Sequence, residues 1–275
     1  MTMRMSFSTL ACPDWTMAQI IAMAADEKYD GIELRFVQGE DSLWKLPVFS
    51  GAELASTKRT LADHALTISC LDTSCRFDSP DGTERQRWMT EGERMAELAA
   101  ELGAPGLRIF GDTIHSGADR ASTQGWIADS VRTLAGIAKS VGVEVWIENH
   151  GDFVTAEQTA AILAQAGCPN TGVVWDPANS YTAAQEHPSE GAAQLGTAIR
   201  HVHIKDVQRH KDGWKYVPSG EGEFPLLELK SALEQLDYDR FLSFEWEKKW
   251  HPEIADPEIA LPHFARWFRK SCAYA

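Results

Sequence analysis

The strongest constraint on this chain is an alternation. Short apolar runs of strand character are separated throughout by segments whose apolar residues recur every three or four positions. Eight such runs stand at 6–10, 31–36, 66–71, 106–110, 143–148, 172–176, 200–204 and 241–245. Between 122 and 141 the apolar positions fall at Ile127, Val131, Leu134, Ala138 and Val141, which is a helical stripe. After Pro225 the stripe returns as Leu226, Leu229, Leu233 and Leu236. Thr155 with Gln158 three residues later reads as a capping box, and Gly167 stands where that helix should stop. Strand-then-helix repetition implies parallel strands, because each crossover helix returns the chain to the same end of the sheet. Eight such units predict an α/β protein, a (β/α)8 barrel forming a single domain over residues 1–275. That length suits a fold of about 250 residues. The alternative is an open, doubly wound sheet. Its dinucleotide-binding form lacks support, because no G-x-G-x-x-G follows the first strand.

Charge narrows the partners. Lys and Arg number 26 and Asp and Glu 40, a formal net charge of −14. Nucleic-acid binding and attraction to anionic membranes both ask for a basic face, so neither is expected. The five cysteines (Cys12, Cys70, Cys75, Cys168, Cys272) are odd in number and never spaced C-x-x-C, which favours reduced thiols. The N-terminal segment has no secretory apolar stretch, and no apolar run nears the roughly 20 residues that span a bilayer. A cytoplasmic location is the expectation.

In a barrel, chemistry sits at the C-terminal strand ends and the loops after them. Along the fifth strand, alternation turns Val143, Val145 and Ile147 toward the helices and Glu144, Trp146 and Glu148 toward the axis. The sixth strand ends in Asp176, and the eighth ends in Glu245. The seventh puts His201, His203 and Lys205 on one face. A single carboxylate at a strand end is ordinarily a solvated loop residue. Four consecutive strands ending in Glu, Asp, His and Glu are different, because closure aims them at one axis. Buried carboxylates gathered there resist ionisation unless a cation neutralises them. Three carboxylates and an imidazole suit one fairly hard divalent ion: Mn²⁺ first, then Mg²⁺, Co²⁺ or Zn²⁺.

Glu148 in WIENHG, Asp176 in VVWDPANSY, His203 in HVHIKD and Glu245 in LSFEWE resemble the metal ligands of the xylose isomerase-like barrels, the sugar phosphate isomerase/epimerase superfamily. That resemblance implies one divalent ion on those four residues, with Glu148 and Glu245 flanking the substrate as acid and base. A metal-polarised carbonyl would let one carboxylate remove the α-proton and the other return it through an enediolate. The expected function is a metal-dependent isomerase or epimerase of a small sugar, keto-sugar or sugar phosphate. A lyase or dehydratase sharing the first step is the alternative, and a non-catalytic sugar-binding protein is a third reading. A small carbohydrate is the expected partner, and a homodimer is compatible with the resemblance.

At the substrate positions the chain departs from the ketose 3-epimerase pattern. Where ketose 3-epimerases carry a further Glu six residues past the first ligand, Val154 stands here, and Asn179 replaces a His three past the ligand Asp. Arg209 matches their Arg six past the ligand His. Substrate contacts are expected from His150, Asn179, Lys205, Arg209 and Arg108, with Glu33 and Asp72 as further strand-end candidates. The basic stretch 205–215, which includes His210 and Lys211, reads first as a solvated loop and second as a phosphate site, and Trp15, Trp246 and Trp250 are candidates for an apolar wall.

Overall fold

The structure is a computed structural model in which residues 3–272 are described. Eight strands form its centre: β1 (Arg4–Ser8), β2 (Gly31–Leu34), β3 (Thr67–Arg76), β4 (Gly106–Phe110), β5 (Glu144–Glu148), β6 (Thr171–Trp175), β7 (Ile199–Ile204) and, after an antiparallel hairpin of β8 (Asp206–His210) and β9 (Gly213–Val217), β10 (Phe241–Phe244). The eight pair in parallel and close on themselves in the ring order β1, β10, β7, β6, β5, β4, β3, β2. This is the (β/α)8 TIM barrel expected from the alternation. The hairpin is an addition that alternation did not foretell, since its residues are mostly charged or polar and half of it is exposed.

Helices wrap the outside: α1 (Met17–Asp26), α2 (Gly51–Asp63), α3 (Gly82–Leu102), α4 (Arg120–Ser140), α5 (Ala156–Ala166), α6 (Pro177–Ala184), α7 (Pro188–Leu195), α8 (Leu226–Gln235) and α9 (Pro257–Ser271). The stripe read in α4 faces inward, with Ile127, Val131, Leu134 and Ala138 fully buried. They pack in the same core as outward strand residues such as Leu107, Ile109, Val145 and Ile147. Thr155 and Gln158 close the capping box of α5, and Gly167 ends it in the left-handed region at φ 67°. Two proline-started helices, α6 and α7, separate β6 from β7. Among the described residues, no helix is long and apolar enough to cross a membrane.

Inside the ring the two ends differ. Near the strand starts, Trp146 fills the interior beside Cys70 and Val174 and stacks on His201 with ring centroids 6.2 Å apart. Gly106 is required there, because a Cβ would overlap the buried indole. Toward the strand ends, the interior is lined with charge: Glu33, Asp72, Arg108, Glu148, Asp176, His203 and Lys205 are all buried. A floor of apolar packing thus supports a polar mouth.

Candidate metal centre

Each member of the predicted quartet reaches the mouth for a local reason. Glu148 is the last residue of β5, two positions beyond Trp146 on the same inward face. Asp176 follows β6 and caps α6, its Oδ1 accepting from the Asn179 N–H at 2.9 Å. Asn149 locks that turn, accepting from the Asp176 N–H at 2.7 Å while its own amide donates to the Asp176 carbonyl at 2.7 Å. His203 sits in β7, and Glu245 follows β10, its N–H still bonded to the Ile204 carbonyl. Glu148, Asp176, His203 and Glu245 are all buried, and each offers one donor atom within 4.8 Å of the others.

The imidazole shows which nitrogen faces the cluster. His203 Nε2 lies 2.9 Å from Glu33 Oε1, while Nδ1 has no hydrogen-bond partner. Nδ1 lies 3.2 Å from Glu245, 3.6 Å from Glu148 and 3.9 Å from Asp176. With the Nε2 proton donated to Glu33, Nδ1 faces three carboxylates, and its lone pair becomes available once a cation displaces its proton. A carboxylate behind a ligating histidine is how metal sites fix the tautomer. Glu148 Oε2 and Asp176 Oδ2 are also buried, each met by one cationic side chain, Arg108 Nε at 3.3 Å and Lys205 Nζ at 2.7 Å. Four converging ligand atoms of this kind fit a divalent cation, with oxygen ligands in the majority. Glu33 holds a second histidine as well, with His201 Nε2 2.6 Å from its other oxygen.

The electrostatics separate the two glutamates. Burial pushes Glu148 up, but Arg108 and His203 outweigh it and hold the carboxyl well below the usual range. Arg108 lies beside it, Nε 3.3 Å from Glu148 Oε2, and its Nη2 pairs with Asp72 at 3.0 Å. Burial pushes Glu245 up to about 7, the attraction of His203 and Lys205 notwithstanding. Burial opposes the charge of His203, but Glu245, Glu33 and Glu148 raise it well above an ordinary imidazole. Lys205 stays charged against its burial because Asp176, Glu245 and Glu247 surround it, each 2.7 Å from Nζ.

A cavity of about 130 Å³ opens onto this cluster, lined by Leu10, Phe110 and Trp250 and by charged residues of both signs. Of the expected substrate contacts, His150, Asn179, Lys205 and Arg108 all line it. His150 is held by Asp112, its Nδ1 2.6 Å from Oδ1. Arg209 does not join them. It lies exposed on the hairpin, its guanidinium 4.5 Å above the Trp214 ring, so the spacing match to a substrate arginine is corrected here. His210 and Lys211 are exposed on the same hairpin. Of the three tryptophans, Trp250 alone borders the cavity, while Trp246 is buried and bonds the Ala255 carbonyl. Arg35, Arg76 and Glu247 line the cavity and were not anticipated. Alternation contained the signal, since Arg35 follows Glu33 by two residues and Glu247 follows Glu245 by two.

Fold and site together define a (β/α)8-barrel protein with a carboxylate-rich candidate metal centre at the C-terminal ends of its strands. The chain belongs to the xylose isomerase-like TIM barrel family, whose model matches residues 21–271. Among curated proteins none matches it. Solved structures do. An IolI protein with a bound zinc atom superposes with a TM-score of 0.82 at 18% identity, over 98% of each chain. A D-psicose 3-epimerase studied with D-fructose gives 0.80 at 18% identity, over 99% of this chain and 100% of its own. A probable 3-DHS dehydratase, AsbF from Bacillus anthracis, gives 0.78 at 19%, over 96% and 98%. At such identities the likeness is one of fold.

Proposed function

We propose that this chain is a divalent-metal-dependent isomerase or epimerase that moves a proton α to the carbonyl of a small keto-sugar or sugar phosphate. The observation that supports it most is the convergence of Glu148, Asp176, His203 and Glu245 on one buried point at the floor of the cavity. A divalent ion there would supply Lewis acidity toward a carbonyl and its neighbouring hydroxyl. The cavity volume of about 130 Å³ suits a small polar molecule rather than a polymer. Glu148 and Glu245 come from β5 and β10, three places apart in the ring, and approach the site from different sides. Glu148, beside Arg108, accepts the α-proton, and Glu245, on the other side of the site, is the carboxyl that returns one to the enediolate. His150 and Asn179 orient hydroxyls at the cavity wall. Among the related folds are an epimerase and a probable dehydratase, which is consistent with proton abstraction as the shared first step.

One feature favours a dehydratase as the second reading. The Lys205 ammonium, 2.7 Å from both Glu245 and Glu247, lines the cavity and is placed to donate a hydrogen bond to a departing hydroxyl. The deciding experiment is incubation with ketoses, inososes and keto-acids in D₂O with Mn²⁺. Deuterium incorporation with an isomeric product is expected, and it should vanish in Glu148→Gln and Glu245→Gln. Loss of water from the substrate would establish the second reading. Exchange with none of the panel, or exchange at the original rate in both variants, would overturn the assignment.

A further inference from the structure

The charged lining of the cavity is arranged in two arcs. Metal-type donors come from β5, β6, β7 and β10, which are neighbours in the ring. The remaining arc runs from β1 to β4 and contributes arginines: Arg35 just after β2, Arg76 at the end of β3 and Arg108 within β4. All three line the same cavity. Arg35 and Arg108 are 5% and 2% exposed, so neither guanidinium is solvated. Each leaves a nitrogen unused. Nη1 of Arg35 and Nη1 of Arg108 are buried with no hydrogen-bond partner, and the carboxylate nearest to Arg35 Nη1, Asp41, stands 3.7 Å away.

A buried, charged donor without an acceptor is costly. The other bonds these side chains make fix them in place without filling that position. Arg35 Nη2 donates to Ser74 Oγ at 2.7 Å, and Arg108 Nη2 pairs with Asp72. Arg108 also rests on the Phe110 ring, 4.0 Å from its centroid, which stiffens it toward the cavity. The two guanidiniums are near enough to repel: burial, and then Arg108, bring the Arg35 side chain down to about 10. Arg76, half exposed and paired with Asp112 at 3.1 Å, closes the rim. Two like charges held together with spare donors are arranged to share an acceptor.

We infer that Arg35, Arg108 and Arg76 form an anion subsite across the cavity from the metal-type cluster, and that the substrate carries a terminal carboxylate or phosphate at the end remote from its reacting carbonyl. This rests on the proposed sugar chemistry for its account of the reacting end, and on the arginines alone for the anionic end. It also moves the basic subsite away from Arg209, His210 and Lys211, whose exposed hairpin side chains do not border the cavity. Arginine suits this role because its planar donors match carboxylate and phosphate oxygens two at a time.

The test is calorimetric titration of the protein, with Mn²⁺ present, by sodium acetate and separately by inorganic phosphate, at constant ionic strength. Saturable binding of at least one anion is expected, and the stronger of the two identifies the group the substrate carries. Arg35→Met should weaken it about tenfold or more, the loss of one charge-assisted contact. Arg76→Met, at the half-exposed rim, should weaken it less, and thermal unfolding checks that both variants fold. Should Arg35→Met fail to fold, Arg35→Lys keeps the charge and removes the fork, and weaker binding is again expected. Saturable binding of neither anion, or binding equally tight in folded Arg35 variants, overturns the subsite; equal binding would mean the anion sits on the metal. A protein that exchanges protons in neutral ketoses but binds no anion through Arg35 loses this inference alone. One that binds anions through Arg35 but exchanges nothing keeps the subsite and loses the assigned reaction.

Discussion

Glu33 is the most informative residue to change, because it touches no substrate position and yet sets the state of a donor. Both of its oxygens are engaged, one by His203 Nε2 at 2.9 Å and the other by His201 Nε2 at 2.6 Å. In Glu33→Gln the side chain keeps its shape but offers one acceptor and one donor group. At least one histidine must then accept at Nε2 and carry its proton on Nδ1. For His203 that would block the nitrogen facing Glu148, Asp176 and Glu245. Even where His203 keeps its proton on Nε2, a charge-assisted bond worth about 1.5–3 kcal/mol becomes a neutral one worth about 0.5–1.5. Losing a partner behind a ligand lowers metal affinity by about 10–100-fold in comparable sites. The expected result is therefore Mn²⁺ binding weakened by about one to two orders of magnitude, measured by competition with a chelating dye. The ¹⁵N resonances of the imidazoles should show a changed tautomer, which a purely structural role for Glu33 would not produce. A folded Glu33→Gln protein that binds Mn²⁺ within about twofold of the original would refute the reasoning.

Three further outcomes follow from the geometry. Glu245 holds its proton up to about 7 because it is buried, so a cation must displace that proton at lower pH. Mn²⁺ affinity should fall by at least about tenfold per unit as pH drops below that value, since His203, held charged by its carboxylates, must give up a proton as well, and a flat profile would contradict the assignment. Lys205→Met removes the cation shared by Asp176, Glu245 and Glu247, all 2.7 Å away. Breaking a buried pair of this kind costs about 3–5 kcal/mol, so urea unfolding should shift strongly without metal and recover partly with saturating Mn²⁺. Gly106→Ala drives a methyl into the Trp146 ring, which is stacked on His201 and has little room to move. Overpacking of about 1–3 kcal/mol is expected in urea unfolding, with metal binding near its original strength.

Local information accounts for much of this protein. Periodicity distinguished strands from helices, and the capping box of α5 and the glycine ending it were legible because they depend on residues only a few positions apart. Parity along each strand told which side chains face the axis, and in a closed ring the axis is common to all. That is why Glu148, Asp176, His203 and Glu245 could be named from sequence and are found together. What sequence could not supply was which inward residues meet across the ring. Glu33 lies 168 residues from His201 and 170 from His203, and the contact exists only because closure and register bring the two sides of the barrel together. Arg35, Arg76 and Glu247 have the right parity, but their place in the cavity depends on how far the strands carry before the chain turns. Arg209 fails for the complementary reason: β8 leaves the barrel as a hairpin and takes the arginine into solvent. Parity is a property of three bonded neighbours, and the chain states it directly. Proximity across the barrel is a property of packing and ring closure, so tertiary structure alone decided which nitrogen of His203 faces the cluster and where the cavity's spare positive charge lies.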